Sequence, residues 1–431
     1  MKASTAAQTA AAPGRRSQVA WMLTSGLLQS VVAFASNLVL VRYLAPADFG
    51  SFALTLASIG LLFGLLHLRT GLLVIRDEAE RFDEERKQLL WSACVFETVV
   101  LGSAATAWLA MGDKLTVWAG VLIAATALQH LANNGRSFLE RDEAYHRLAP
   151  VEGSAHFLAH TGAALLAVAG IGAAALYLRE LFLALFLGAA LWKLGALRPT
   201  PLRMVRPREL GGLAKEAKDL ILDGALESTY SRVQVLFAGM VGGTVGAGLY
   251  FQAHRLAVVP HQVLQPVAGR LAFNWLSRAE DPAERRRVRR RILSRLALPL
   301  SCAALGAMFL AGPVVPWLFG EQWRPAAPVL QALVGVVVGS SVFAVYKMQM
   351  LAEGRGASLL LSRTVHLGAL ALGAFFARGS SDPIRFLAIW TSAGHGLAIL
   401  SAWWAFRGDR STGQPAVEPQ AADDSQRSLA A

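Results

Sequence analysis

Two arginines lie deep inside long apolar segments of the chain, and their side chains are the first candidates for chemistry. Arg255 lies in the apolar segment 247–267, and Arg232 lies in the segment 220–240. A charged side chain at the centre of a membrane-spanning helix costs about 2.5 to 3.5 kcal/mol, so it is expected to face a water-filled cavity or a partner. A guanidinium group also binds phosphate oxygens through two parallel hydrogen bonds. We therefore predict that Arg255 lines a binding cavity for an anionic ligand.

The segment that carries Arg232 also carries two carboxylates. Asp223 and Glu227 are four residues apart, which places them on one face of a helix. Arg232 follows Glu227 by five residues, about 140° around the helix from that face, so it is not their local partner. We expect Arg232 to face either the same cavity or another helix. An ion pair with Asp223 or Glu227 is the alternative role for Arg255.

The apolar segment around Arg255 is unusually rich in hydrogen-bonding side chains. Glutamine and histidine both donate and accept hydrogen bonds, as a ligand with hydroxyl groups requires. The alternative role is hydrogen bonding between helices, which in membranes contributes only about 0.6 kcal/mol on average. Asn37, in the first apolar segment, has the same potential. We predict a cavity lined by Arg255, Arg232, His254, Gln252, Gln262 and Asn37, with His261 and Gln265 on the same segment.

Titratable side chains in other segments are candidates for coupling to a proton or a cation. His156 and His160 are four residues apart, with Glu152 one turn earlier, a pattern that can bind a metal or relay protons. No HExxH motif and no cysteine accompany them, so we expect a polar cavity wall and neither a metal site nor a bound cofactor. Glu97 is predicted to be a lone buried carboxylate. The coupling candidates are Glu97, Asp223, Glu227, His156 and His160.

Twelve apolar segments must position these side chains. Each is close to the roughly 20 residues that a helix needs to cross about 30 Å of hydrocarbon. They are 19–41, 49–68, 89–111, 115–132, 151–176, 181–197, 220–240, 247–267, 292–318, 326–351, 357–377 and 384–406. The sequence therefore predicts an all-α polytopic membrane protein with 12 transmembrane helices.

Lysine and arginine are concentrated in every second gap between these segments. Of 41 such residues, 33 fall in one set of gaps and in the two tails. Cytoplasmic loops carry this excess, so both termini are predicted to be cytoplasmic. The other set of gaps holds only six: Arg42, Lys114, Arg179, Arg324, Arg378 and Arg385.

The formal charge of +12 follows from this one-sided placement. The expected partner of the basic loops is anionic lipid of the inner leaflet. The basic run 285–291 resembles a nucleic-acid patch, but it contains no aromatic side chain, so no nucleic-acid partner is expected. Cys94 and Cys302 lie within predicted helices, which suggests packing and no disulfide framework. No G-x-x-x-x-G-K-[ST] motif is present, so ATP is not expected to be the direct energy source.

The helices divide into two groups of six. The link 198–219 contains three prolines and separates an N-lobe, 19–197, from a C-lobe, 220–406; the tails 1–18 and 407–431 are predicted to be disordered. Gly50 and Phe52 near the start of the second helix are echoed by Gly248 and Tyr250 near the start of the eighth. Because both halves begin on the same side, we expect two pseudo-symmetric lobes around a central cavity.

Three stretches of the sequence resemble bacterial polysaccharide-repeat-unit flippases, which belong to the multidrug/oligosaccharidyl-lipid/polysaccharide exporter superfamily. They are RYLAPADFGSFALTLA at 42–57, GLYFQAHRLAVVPHQVLQPVAG at 248–269 with WLSRAEDPAERRR at 275–287, and LFGEQWRPAAPVLQAL at 318–333. With the twelve predicted helices, the resemblance covers most of residues 19–406. In related peptidoglycan-precursor flippases, an A-x-R-L string followed by proline carries a cavity arginine, which Arg255 matches here.

The resemblance implies a function and partners. It implies an alternating-access flippase in the bacterial cytoplasmic membrane that moves oligosaccharide units linked to undecaprenyl diphosphate, alongside the polysaccharide polymerase machinery. An alternative with the same fold is a cation-coupled multidrug exporter, although the first helix lacks the acidic residue that such members commonly carry. A membrane polymerase or ligase is a third hypothesis, but the predicted outer gaps are too short for the large catalytic loop of such enzymes.

Overall fold

The computed structural model describes residues 15–78, 80–197, 199–265, 272, 275–276, 279 and 281–407. Within this part of the chain there are fourteen α-helices, a single 3-10 turn at Glu321–Trp323 and no β-strand. The α-helices are α1 Arg15–Tyr43, α2 Pro46–Leu65, α3 Thr70–Arg76, α4 Glu84–Met111, α5 Val117–Arg141, α6 Tyr145–Val168, α7 Ala174–Lys193, α8 Pro207–Glu216, α9 Lys218–Gln265, α10 Pro282–Phe319, α11 Ala326–Ala332, α12 Val334–Ala352, α13 Gly356–Ala377 and α14 Pro383–Ala405.

The helix α9 contains two membrane crossings. Its backbone leaves the helical region at Gly243, where φ is 63° and ψ is −163°. The two halves fold back on each other at this residue. The contact between them is shown by the Tyr250 hydroxyl, which donates to Oε1 of Gln234 at 3.1 Å. We name these halves α9a (218–242) and α9b (244–265). A positive φ of this kind is readily adopted by glycine, which explains the residue at the reversal.

The prediction of twelve transmembrane helices in two lobes is confirmed. Among the described residues, eight helices are long and apolar enough by themselves to cross a bilayer, and α9 is one of them. The more polar α1, α5 and α6 pack beside them, and α11 and α12 together form one crossing. We name α1 to α7 the N-lobe and α9 to α14 the C-lobe.

Local sequence signals set where several helices begin. Asp83 precedes α4 and its carboxylate accepts the Arg86 amide at 2.7 Å, while the Thr116 hydroxyl accepts the Ala119 amide at 3.1 Å before α5. Such caps satisfy the free amides of the first helical turn. Proline occupies the first turn of α2, α8, α10 and α14, where its missing N–H costs nothing.

One predicted helix boundary is wrong. The sequence suggested a fifth helix to 176 and an outer gap at 177–180, but α6 ends at Val168 and α7 begins at Ala174. Gly170 and Gly172, with φ of 82° and 71°, form the turn instead. Arg179, expected in an outer loop, is therefore buried inside α7, with only 6% of its surface exposed.

Two short helices occupy gaps that the sequence suggested were loops. The helix α3 follows α2, and α8 lies in the link between the lobes. Leu213 of α8 is buried in a cluster with Leu73 and Val74 of α3 and Trp91 of α4. We name this end of the bundle, where α2 ends and α9 begins, the basic end, and the other the opposite end.

The lobes pack most closely through α2 and α9a, which run antiparallel. Gly64 faces Ser228, Gly60 faces Arg232, and Gly239 faces Leu54. A methyl group added at Gly60 would lie 2.8 Å from Nε of Arg232. Small residues let helix backbones approach closely in membranes, so glycine at these positions fixes the tight α2–α9a contact.

At the opposite end a second set of contacts joins the lobes. Trp323 is fully buried, donates from Nε1 to the Val41 carbonyl at 2.8 Å, and packs edge-on against Phe49 with ring centroids 5.3 Å apart. Arg42, at the end of α1, donates to the Leu318 carbonyl at 3.1 Å. These contacts close the opposite end of the space between the lobes.

Candidate functional site

Arg255 lies at the contact between the two lobes. Its Nη1 donates to Oδ1 of Asn37 on α1 at 2.8 Å. Asn37 also exchanges hydrogen bonds with Gln252, at 3.2 Å from its Nδ2 to Gln252 Oε1 and at 3.4 Å in the reverse direction. Asn37 and Gln252 are 3% and 0% exposed. Three of the predicted cavity residues, from helices of different lobes, therefore form one buried polar group, which we name the Asn37 junction.

Arg255 is not paired with Asp223 or Glu227, which was the alternative role for it. Those carboxylates bind Lys347 and Arg363 of the C-lobe: Lys347 Nζ lies 2.7 Å from Glu227 and 3.2 Å from Asp223, and Arg363 Nη2 lies 3.3 Å from Glu227. Within the described residues, no carboxylate lies within 4.0 Å of the Arg255 guanidinium. In the described part of the chain, the Arg255 guanidinium is therefore hydrogen-bonded to the neutral Asn37 amide, and the carboxylate of Glu180 acts on it from a longer distance.

A second group of charged residues surrounds this position from the N-lobe. Glu180 accepts from Nη2 and Nε of Arg179 at 2.7 and 3.0 Å, and Nε2 of Gln129 lies 3.4 Å from its Oε2. Glu180 and Arg179 both act electrostatically on Arg255. Nη1 of Arg179 is buried and has no hydrogen-bond partner among the described residues. Neither residue is among the candidates predicted from the sequence, because hydropathy places both in a loop between two apolar segments.

His156 and His160 belong to the same polar region. Their rings are stacked with centroids 5.9 Å apart on α6, and the Ser36 hydroxyl of α1 donates to the His160 carbonyl at 2.8 Å. The charges of Arg179, Arg255 and Glu180 act electrostatically on the His160 ring, whose buried Nδ1 has no hydrogen-bond partner in the part of the chain that the structure describes. The structure thus brings the two histidines near the Arg255 site as part of the N-lobe wall.

Arg232 faces α2 and lines a cavity of about 510 Å³ in the basic half of the protein. Its Nε is buried and finds no hydrogen-bond partner within the described ranges. Polar and charged side chains of the α2–α3 turn, α5 and α9a predominate in the wall: His67, Arg69, Thr126, Gln129, His130, Asn133, Asn134, Arg136, Ser137, Glu140, Glu227, Ser228 and Arg232. Gln129 lines this cavity and also hydrogen-bonds the Glu180 carboxylate, which acts electrostatically on Arg255.

The remaining predicted cavity residues lie apart from this cluster. His254 packs beside Tyr250 with ring centroids 6.0 Å apart, and His395 of α14 acts on it electrostatically, so it faces the interior of the C-lobe. Gln262 is exposed on the last turns of α9b. The side chain of Gln265 lies outside the described residues. The structure therefore does not bring His254 or Gln262 into contact with Arg255.

Glu97 is not a lone carboxylate, contrary to the prediction. Oε1 of Glu97 accepts the Leu68 amide at 2.7 Å and lies 3.1 Å from Nδ1 of His67. The other carboxylate oxygen lies 3.6 Å from Nε2 of His130. These partners, His67 and His130, lie 30 and 33 positions from Glu97 in sequence, so the spacing of residues within one helix could not predict them. Glu97 is also separate from the Asp223 and Glu227 pair.

Comparison with known proteins agrees with this architecture. A family model described as "Polysaccharide biosynthesis protein" matches residues 39–328. The chain is 36% identical over 107 residues to the lipopolysaccharide biosynthesis protein WzxC of Escherichia coli K12, a match that covers 25% of this chain and 20% of WzxC. It is 24% identical over 364 residues to an uncharacterized membrane protein in the cps region of Klebsiella pneumoniae, covering 77% of this chain and 71% of that protein.

Solved structures of low identity share the fold. An inward-facing multidrug resistance MATE family transporter of the MOP superfamily matches with a TM-score of 0.63 at 15% identity, over 92% of this chain and 96% of that one. The lipid II flippase MurJ in an inward closed conformation matches with a TM-score of 0.57 at 11% identity, over 91% and 87% of the two chains. The family match covers well over half of the chain, so this protein belongs to the family of polysaccharide biosynthesis proteins and has the two-lobe exporter fold that its sequence resemblance predicted.

Proposed function

We propose that this protein is an alternating-access flippase that moves oligosaccharide units linked to undecaprenyl diphosphate from the inner to the outer leaflet. The observation that carries the proposal is the placement of Arg255 between the lobes, hydrogen-bonded to the neutral Asn37 and to no carboxylate among the described residues. Such a guanidinium keeps hydrogen-bonding capacity for a phosphate.

The charges around Arg255 suit a diphosphate more than a cationic drug. Among the described residues, Arg179 adds a second positive charge beside Arg255, and the carboxylate that acts on both Arg255 and Arg232 is Glu180, which already binds Arg179. A net positive, partly hydrated space lowers the cost of carrying an anionic group through the low-dielectric membrane. Moving the lipid breaks no covalent bond, so the proposal requires binding groups and no catalytic residue.

The distribution of positive charge supports an orientation. The basic end carries Arg69, Arg86, Arg136 and the basic start of α10, so we assign it to the cytoplasm, with both termini on that side and anionic inner-leaflet lipid beside it. The closed contacts of Trp323 and Arg42 then lie at the outer face, and the cavity of about 510 Å³ lies in the cytoplasmic half. This arrangement suits loading of cargo from the inner leaflet, with the polymerase machinery receiving it outside.

The exporter alternative depends on a free acidic site. Asp223 and Glu227 are the carboxylates of α9a best placed to bind a cation, but both already form ion pairs with Lys347 and Arg363. Glu97 is enclosed by two histidines and a backbone amide. These pairings favour the anionic cargo over a cation-coupled drug.

A complementation experiment tests the proposal. The chain and its variants are expressed in a strain without its own repeat-unit flippase, and surface polysaccharide and inner-leaflet lipid-linked precursor are measured. We expect Arg255→Ala to reduce surface polysaccharide at least about tenfold, the loss that removal of about 1.4 kcal/mol of binding would cause, while precursor accumulates. Arg255→Lys should retain part of the activity.

The matched control is Arg324→Ala, since Arg324 is an exposed arginine in a local pair with Glu321 at the opposite end. It should leave export unchanged. Undiminished polysaccharide in Arg255→Ala, at a normal expression level, would overturn the role proposed for Arg255. Drug resistance conferred by the wild-type chain without any glycan export would favour the exporter instead.

A further inference from the structure

Three possible metal ligands converge at the basic end of the N-lobe, away from Arg255. They are His67, which follows α2, Glu97 of α4 and His130 of α5. One donor atom of each lies within 4.8 Å of the others. Glu97 and His130 are buried, with 5% and 8% of their surfaces exposed. The three side chains come from three separate elements, so their convergence is a property of the fold and not of local spacing.

The separations between the donor atoms match those of a metal site. Nδ1 of His67 lies 3.1 Å from Oε1 of Glu97, and Nε2 of His130 lies 3.6 Å from Oε2 of Glu97. Ligands held about 2.0 to 2.1 Å from a tetrahedral Zn²⁺ are about 3.3 Å from each other. A cation placed between the two imidazole nitrogens and the carboxylate would need only small side-chain adjustments.

Hydrogen bonds within the cluster leave two buried atoms without partners. Oε2 of Glu97 and Nε2 of His130 have no hydrogen-bond partner among the described residues, and 3.6 Å is too long for a hydrogen bond between them. Nδ1 of His67 also lies 3.1 Å from the Arg69 amide. The single in-plane position on that nitrogen cannot satisfy both the amide and the carboxylate.

The cluster has an open side. His67 and His130 both line the cavity of about 510 Å³, which gives an ion a polar route of entry. Three protein ligands with a fourth position open to water is the arrangement of zinc sites that exchange their fourth ligand. Other oxygens near the cluster are occupied: Oδ1 of Asn134 accepts from the Thr70 hydroxyl and the Gly71 amide at 2.9 and 2.7 Å. Water from the cavity is therefore the natural fourth ligand.

We propose that His67, Glu97 and His130 bind one divalent transition-metal cation of the zinc class, with the fourth position facing the cavity. Two imidazole nitrogens and one carboxylate favour Zn²⁺ over Mg²⁺ and Ca²⁺, which prefer all-oxygen ligands. The bound ion ties the end of α2 to the middle turns of α4 and α5 beside the cavity. The site does not depend on the identity of the cargo.

Direct binding measurements test the site. The full-length protein is purified in detergent with a non-histidine tag, stripped with a chelator, and titrated with Zn²⁺ or Mg²⁺ against a chromophoric indicator. We expect one Zn²⁺ per chain, a higher thermal unfolding temperature with Zn²⁺, and no effect of Mg²⁺. Glu97→Gln and His130→Ala should each weaken Zn²⁺ binding at least tenfold. His156→Ala, which removes a histidine from the same lobe but outside the cluster, should bind Zn²⁺ as the wild type does.

Two outcomes would overturn the proposal. One is a wild-type chain that binds no stoichiometric Zn²⁺ at micromolar concentrations. The other is a Glu97→Gln variant that elutes as a single folded species and binds Zn²⁺ with unchanged affinity. If His130→Ala fails to fold, His67→Gln replaces it, because His67 lies outside the helices. X-ray absorption of the wild-type zinc complex should show two imidazole nitrogens and one or two oxygens near 2.0 to 2.1 Å; a shell without histidine would contradict the site.

Discussion

Gly50 of α2 and Gly248 of α9b face each other across the contact between the lobes. A methyl group added at Gly50 would lie 3.0 Å from the Gly248 amide nitrogen, and one added at Gly248 would lie 3.0 Å from the Gly50 nitrogen. The relationship is reciprocal, as expected for two equivalent residues related by a pseudo-two-fold axis between the lobes. Gly50 also abuts the Thr244 carbonyl, and Gly248 abuts the Pro46 carbonyl. The two glycines therefore let the helices cross with their backbones in contact.

Replacing either glycine should disturb closure of the opposite end. We expect Gly50→Ala and Gly248→Ala to destabilise the closed state by about 1 to 3 kcal/mol, the usual range for overpacking, because the neighbour is backbone and cannot rotate away. Thermal unfolding and the reactivity of cysteines introduced at the opposite end measure the effect. Gly102→Ala in α4 is the control, since nothing lies within 4 Å of its added methyl group; it should be neutral or stabilising by up to about 1 kcal/mol. Equal stability of all three variants would contradict the close contact.

The Asn37 junction predicts a charge-specific effect. Asn37→Asp places a carboxylate where Oδ1 now accepts from Arg255 at 2.8 Å. An ion pair of only about 1.4 kcal/mol would lower the fraction of free guanidinium tenfold, so glycan export should fall about tenfold or more. Asn37→Ala removes the same hydrogen bonds without adding charge and is expected to retain more activity. Export in Asn37→Asp at or above the level of Asn37→Ala would contradict a cargo-binding role for Arg255.

Much of the fold could be predicted from the sequence, and so could the position of one candidate site residue. Hydropathy and charge predicted the twelve helices, and the cost of a buried guanidinium singled out Arg255, which lies between the lobes; its role in binding cargo stays a prediction. The echo of Gly50 and Gly248 pointed to related halves, and the structure gives it a physical reason in the helix crossing. These signals are local or periodic, which is why they can be read along the chain.

Other features depend on contacts that the sequence does not reveal. Asn37 and Gln252 are separated by 215 positions, and Glu97 meets His67 and His130 only after α2, α4 and α5 pack together.

The error at Arg179 has a different cause. Residues 162–176 form an unbroken run of apolar residues and glycine, so hydropathy could not detect the turn that Gly170 and Gly172 make through positive φ. Hydropathy measures how strongly each side chain prefers apolar surroundings. It contains no information about where the backbone changes direction.

Neutralising Asp223 and Glu227 together separates the two cargo hypotheses. Both carboxylates are occupied by Lys347 and Arg363, so their negative charge is not available for a driving cation. For the flippase, we expect Asp223→Asn with Glu227→Gln to keep glycan export within about fivefold, the remaining loss reflecting the cost of leaving the cations without partners. For a cation-coupled exporter, the same change should abolish drug efflux. Growth on toxic substrates and surface polysaccharide are measured in the same cells, with Glu321→Gln as the exposed control.

Arg86 links α8, the helix between the lobes, to the N-lobe. It should therefore stabilise α8 against local opening. Its guanidinium lies 2.8 Å from Asp77 and 2.7 Å from Glu216 of α8, so one side chain joins α4, the end of α3 and the helix between the lobes. The pair with Glu216 is partly exposed, which limits its contribution to about 1 kcal/mol. Arg86→Met should therefore speed amide exchange in 207–216 about fivefold, and high salt should reduce the difference from the wild type. Lys87→Met, which removes only a local exposed pair with Glu84, should leave the exchange unchanged. Equal exchange in the two variants would mean that Leu213 and its apolar neighbours hold α8 in place without help from Arg86.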